Sequence, residues 1–109
     1  MTNEDLKARL LQKRCPEDDV PLDGVGVVRV RGLTRGEVKE ISDGVNAGRD
    51  MEPYSLSLAL ISPAMTEDEA AVMAKVAPFG DIQKLTARIN ELSGIAQGAS
   101  KEAYKSLHD

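Results

Sequence analysis

The chain has 109 residues, a formal net charge of −4, 41% apolar and 29% charged residues, and only 3% aromatics. One cysteine, one histidine and no tryptophan exclude an internal disulfide and a Cys-rich zinc site, and no apolar run approaches the length of a membrane span. Net acidity argues against nucleic acid as the main partner, because phosphate binding needs a basic surface. Leu, Ile, Val and Phe together make about a quarter of the chain, above the composition of disordered sequences. One compact domain is therefore expected, with oligomerisation as one source of added stability for so small a core.

The first segment, residues 4–13, predicts a short helical arm capped by Asn3, with Leu6, Leu10 and Leu11 on one face. It is charged from Glu4 onward and does not read as a secretory signal. Cys15-Pro16 ends the arm, which spans residues 1–16. The compact part is expected over 17–97. An acidic stretch, Glu17, Asp18, Asp19 and Asp23, leads into period-two patterning. Residues 19–31 predict a β-hairpin turning at Asp23-Gly24, with Pro21 restricted to an edge strand. Val28 and Val30 then face the core, opposite Val27, Arg29 and Arg31.

Thr34-Arg35-Gly36-Glu37 is a capping box, in which the hydroxyl and the carboxylate each satisfy a backbone N–H. It opens a helix over 35–43 with Val38 and Ile41 inward, followed by a polar loop bracketed by Gly44 and Gly48. Residues 51–61 predict a helix apolar on two sides: Tyr54, Leu58 and Ile61 on one, Leu56 and Leu60 on the other. Such a helix is either central in the fold or half in an interface, and Leu56 and Leu60 are the candidates for a partner-facing or self-associating surface. A second capping box, Thr66 to Glu69, opens a helix over 67–76. Residues 79–93 give the clearest amphipathic helix, with Phe79, Ile82, Leu85, Ile89 and Leu92 in register and Gly94 beyond its end. Residues 98–109 are weakly helical and carry Lys101, Tyr104 and Leu107, candidate partner contacts. The fold class is α+β and mostly helical: a small N-terminal hairpin, then a bundle of short helices.

Signals for chemistry are weak. Cys15 and His108 are the only thiol and imidazole and sit near opposite ends, whereas a Cys–His nucleophile needs both within hydrogen-bond reach. The acidic residues before the hairpin lack the spacing of a calcium loop. Gly24-Val25-Gly26 has neither the third glycine nor the preceding strand of a dinucleotide fingerprint. No catalytic group, metal or cofactor is expected, and the chain does not read as an enzyme. Arg29, Arg31 and Arg35, flanked by Lys39, form the one basic patch. It is either a docking patch for an acidic partner or a solvated strand face paired with the acidic run.

The segment order carries a resemblance. An acidic stretch leads to VRVRGLTRGEV, then YSLSLALISPAMTEDEA, then PFGDIQKLTARINELSG and the polar ending GASKEAYKSLHD. Over residues 17–109 this resembles the tail assembly chaperones of long-tailed, siphophage-type bacteriophages and prophages. The resemblance implies a small non-enzymatic protein in the cytoplasm of the bacterial host. Such a protein binds and solubilises the tape measure protein, is displaced as tail tube subunits polymerise, and is absent from the mature virion. It also implies that a frameshifted longer form can recruit tube subunits. The alternative reading is a small virion structural protein, such as a tail completion or head–tail connector subunit. A regulatory module binding DNA or a toxin is a further rival, opposed by the net acidity.

Overall fold

The structure is a computed structural model and describes residues 1–95. Among these are helices α1 (Asn3–Leu10), α2 (Arg35–Asn46), α3 (Glu52–Ala59), α4 (Glu67–Val76) and α5 (Phe79–Leu92), and strands β1 (Glu17–Leu22), β2 (Gly26–Arg31) and β3 (Leu60–Ser62). The fold is α+β and mostly helical, with the N-terminal hairpin preceding the helices that pack on it. Fourteen buried apolar side chains form one cluster, from Val20 on β1 to Ile89 on α5.

The hairpin pairs Glu17 with Arg31 and Leu22 with Gly26 in antiparallel register. Its turn holds three residues, Asp23-Gly24-Val25, and is closed by the Val25 N–H donating to the Leu22 carbonyl at 3.1 Å. Gly24 (φ +78°) and Gly26 (φ +123°) occupy the positive-φ positions this turn requires. Strand β1 is an edge. The Gly32 N–H donates to the Pro16 carbonyl. From there the alternation of the ladder directs residues 18, 20 and 22 toward β2 and leaves Pro21 on the free side. Its missing N–H therefore costs the sheet nothing.

The sheet has a third strand that the sequence reading assigned to a helix. The helix expected over 51–61 stops at Ala59, and Leu60–Ser62 pairs with β2 through Val30↔Leu60 and Arg29↔Ser62, with a bulge between. Two physical causes act together. Pro63 disfavours helical backbone at Ser62, and the second edge of β2 offers backbone groups that need partners. The two-sided apolarity of this segment is thereby resolved. Leu56 (1% exposed) and Leu60 (5%) both point into the core, so the expected partner-facing role of Leu56 and Leu60 is corrected: they are core residues.

Other boundaries shift for local reasons. Helix α1 is capped by Thr2, not Asn3, in a reciprocal capping box with Asp5, and it ends at Leu10. None of its residues is buried, and Leu10 and Leu11 stand fully in solvent. Helix α2 runs three residues beyond the expected end. Gly44 lies inside it as a buried helical residue, where a Cβ would collide with the Met51 side chain. Its end is set by Gly48 (φ +82°), with Gly48 N–H donating to Val45 O and Arg49 N–H to Gly44 O. The same motif ends α5: Gly94 donates to Glu91 O and Ile95 to Asn90 O. Both expected capping boxes, Thr34/Glu37 and Thr66/Glu69, are formed. Within α5, Ile82, Leu85 and Ile89 are buried as expected, but Phe79 at its first position is exposed.

Candidate functional site: an apolar groove at the hairpin tip

The groove is built where three turns of the chain meet. The hairpin contributes Leu22, Val25 and Val28, and the start of β3 contributes Leu60. The connection to α4 adds Pro63 and Met65. The end of α4 adds Met73 and Val76, and the α4–α5 corner adds Ala77, Pro78, Asp81 and Leu85. The cavity is about 360 Å³, and Asp81 is the one charged residue lining it.

Local sequence explains each wall. Pro78 forces Ala77 into extended backbone (ψ 148°), so α4 stops at Val76 and the chain turns sharply into α5. The positive-φ glycines of the hairpin turn hold Val25 out over the opening. The floor is the core itself, Val28, Leu60 and Leu85, all buried. The rim is apolar and exposed: Val25 is 69% and Val76 76% accessible, with Phe79 just beyond at 76%. Val72, one helical turn before Val76, continues the exposed apolar stripe along α4. Met65 and Met73 are half-buried along the wall, and their unbranched thioethers adapt to irregular occupants.

At the opposite end of the hairpin the chemistry is reversed. Arg31 makes a bidentate pair with Glu37, Nη1 to Oε1 and Nη2 to Oε2 both at 2.8 Å, and its Nη1 also donates to the Gly32 carbonyl at 2.9 Å. Glu37 Oε1 accepts from the Thr34 N–H at 2.9 Å, and Lys13 Nζ reaches Oε2 at 3.2 Å. The Arg31 guanidinium, aided by the Thr34 N–H and Lys13, lowers the Glu37 carboxyl to about 2 against the opposing effect of burial. Cys15 Sγ lies 3.7 Å from Arg31 Nη1. On the outer face Arg29 pairs with Glu17 (3.0 Å) and Asp19 (2.9 Å). Arg88 on α5 reaches Asp18 at 2.7 Å, and the Asp19 backbone N–H, together with that pair, lowers the Asp18 carboxyl.

These contacts place the residues singled out from sequence. Arg29 and Arg31 do not form an open docking patch: Arg29 is matched to Glu17 and Asp19 of the acidic run, as the alternative reading anticipated, whereas Arg31 is matched to Glu37 of the capping box, which that reading did not foresee. Of the carboxylates before the hairpin turn, Glu17 and Asp19 are engaged by Arg29 and Asp18 by Arg88. Among the described residues no group of three or more His, Cys, Asp or Glu side chains is placed to hold a metal ion. Lys101, Tyr104, Leu107 and His108 lie outside the described residues.

The groove residues were not singled out as a site in sequence. One signal for Val25 was available: an apolar residue directly after Asp-Gly sits at a turn, where burial is hard to achieve. Val76 next to Ala77-Pro78 carries a similar signal, since a helix end before proline is a surface position. No family model matches this chain, and neither curated proteins nor solved structures contain a match.

Proposed function

We propose that this chain is a tail assembly chaperone of a long-tailed bacteriophage, and that its groove at the hairpin tip receives amphipathic segments of the tape measure protein. The observation that supports this reading is the groove itself: a continuous apolar trough with an exposed apolar rim and one charged residue in its lining. Such a trough accepts the apolar stripe of a helix, read at i, i+3, i+4 and i+7. An extended client rich in such stripes engages many copies. Each contact is modest because the rim offers aliphatic side chains and one phenyl ring rather than a cluster of large aromatic anchors. Avidity along the client then holds the assembly together, while each copy remains displaceable by tube subunits. In this reading the protein acts in the cytoplasm of the bacterial host, performs no catalysis and leaves before the virion is complete.

The experiment is co-expression with the tape measure protein of the same phage, scoring its solubility and co-purification. The expected result is a soluble client with the unaltered chain and an aggregated one with the double variant Val25→Asp, Val76→Asp. A client equally soluble with both, or peptides of this chain at structural stoichiometry in purified particles, overturns the reading.

A further inference from the structure

The volume of the groove at the hairpin tip, about 360 Å³, limits what enters it. A cavity of about 150 Å³ admits one benzene-sized group, so this one takes two large apolar side chains. On a helix such a pair stands one turn apart, at i and i+4. The walls do not choose between apolar types. Met65 and Met73 are unbranched and adapt their shape, and the rim residues Val25 and Val76 are aliphatic and exposed. Selection among amphipathic segments therefore falls to the charge that the groove carries.

That charge is Asp81. It lines the groove from the first turn of α5, and no basic residue is part of the lining. Its side chain is half-buried and takes part in no hydrogen bond or ion pair among the described residues. At the other end of the hairpin the opposite holds: Glu17, Asp18, Asp19 and Glu37 each hold an arginine of the same chain. Asp23 adds a second acid at the tip. It stands in the turn between Leu22 and Val25, which both line the groove, and it too has no ion pair among the described residues. Lys75 precedes Val76 on α4 but does not line the groove.

The first turn of a helix suits a carboxylate, so Asp81 has a local rationale within α5. Its place on an apolar wall has a further consequence. An occupant covers the carboxylate and removes part of its water. A basic residue on the occupant compensates that loss, an uncharged one leaves it, and an acidic one adds like-charge repulsion.

We infer that Asp81 selects which segments enter the groove: an apolar pair one helical turn apart is admitted when lysine or arginine flanks it and rejected when aspartate or glutamate does. The inference rests on the groove being the client site proposed above and adds the rule by which that site chooses among client segments. The rejecting element matters as much as the attracting one, because a long amphipathic client offers many apolar stripes of similar affinity.

The probes are three synthetic amphipathic helical peptides, identical except for the residues flanking a single Leu-x-x-x-Leu pair on both sides, which are lysine, glutamine or glutamate. Binding to the full-length chain is read by fluorescence anisotropy at low salt, where charge contacts are least screened. The unaltered chain should bind the lysine peptide at least about tenfold more tightly than the glutamate peptide, with glutamine between. Asp81→Asn should remove most of that preference and Asp81→Lys should invert it. Each ratio is taken within one protein, so a change in overall stability cancels. A ratio near one in the unaltered chain, a ratio unchanged in Asp81→Asn, or no binding of any peptide overturns the inference. The neutral double variant Val25→Gln, Val76→Gln separates the two claims. If it abolishes peptide binding and client solubility while the unaltered chain shows no charge preference, the groove stands as client site and the selection rule falls. If it abolishes charge-selective peptide binding and the client stays soluble, Asp81 selects occupants of the groove and the groove is not the client site.

Discussion

The two ends of the β1–β2 hairpin are made of opposite materials. At the base, backbone and side-chain groups are matched one to one. Arg31 grips Glu37 with two hydrogen bonds, Glu37 also caps α2, and Gly32 lies directly against the Leu92 carbonyl of α5. Close by, the Ser93 hydroxyl accepts from the Leu33 N–H at 2.7 Å and donates to the Ile89 carbonyl at 2.6 Å. At the tip, apolar side chains face solvent around an unfilled groove. Among the described residues, no buried side-chain nitrogen or oxygen at the base is left without a hydrogen-bond partner. The tip has room and apolar surface. A small sheet can thus divide its labour along its length: one end fixes the helices and the other offers a surface.

That contrast can be broken by substitution, beginning where the effect should be greatest. Gly32→Ala places a Cβ on the Leu92 carbonyl, a backbone atom that cannot step aside without moving α5. Overpacking against backbone should cost about 3 kcal/mol in chemical denaturation; an unchanged midpoint would show that the base is looser than described. Glu37→Gln removes the bidentate charge pair of a largely buried carboxylate. A loss of about 2 kcal/mol is expected, smaller than for Gly32→Ala because the amide can still cap Thr34.

The same carboxylate gives the base a pH signature. Its folded pKa, about 2, lies below the ordinary value of 4.5. Its contribution is therefore complete above pH 4.5 and is lost as pH falls through about 2. Acid titration of stability should show a fall in this window that is diminished in Glu37→Gln. If both proteins lose stability in parallel, the carboxylate is not the cause.

Smaller effects mark the surface. Arg29→Ala breaks two exposed pairs on the outer face of the sheet, and the denaturation midpoint should hardly move, because solvent and salt screen such pairs. Smallest of all should be Val25→Asp with Val76→Asp, which exchanges exposed rim residues and should leave stability within about 0.5 kcal/mol. These two valines then have their effect on binding at the groove and not on stability. A large stability loss at the rim would erase the distinction between the two ends.

Much of the fold was legible in order and type. Capping boxes at Thr34 and Thr66, the Asp-Gly turn, the alternation of Val28 and Val30 and the spacing of Ile82, Leu85 and Ile89 are local signals, and each holds in the structure. The candidate site was legible hardly at all. Leu56 and Leu60 read as partner-facing because a helix was assumed to run through both; the strand pairing of Leu60 with Val30 turns both inward. Arg29 and Arg31 read as a patch until the partners Glu17, Asp19 and Glu37 were seen beside them.

By itself, then, the sequence determined what depends on neighbours within a few residues: the two capping boxes, the place of the hairpin turn and the helical stripes. Those follow from backbone sterics and side-chain periodicity, which act over short spans. The hairpin register, with Leu22 opposite Gly26 across a three-residue turn, was set by the structure. Only the tertiary structure decided which apolar residues remain outside. Burial of Leu60 depends on a free strand edge thirty residues earlier. Exposure of Val25 and Val76 depends on two turns meeting in space without a third element to cover them. Periodicity identifies a surface that wants cover, and the packing of distant elements determines whether it gets any.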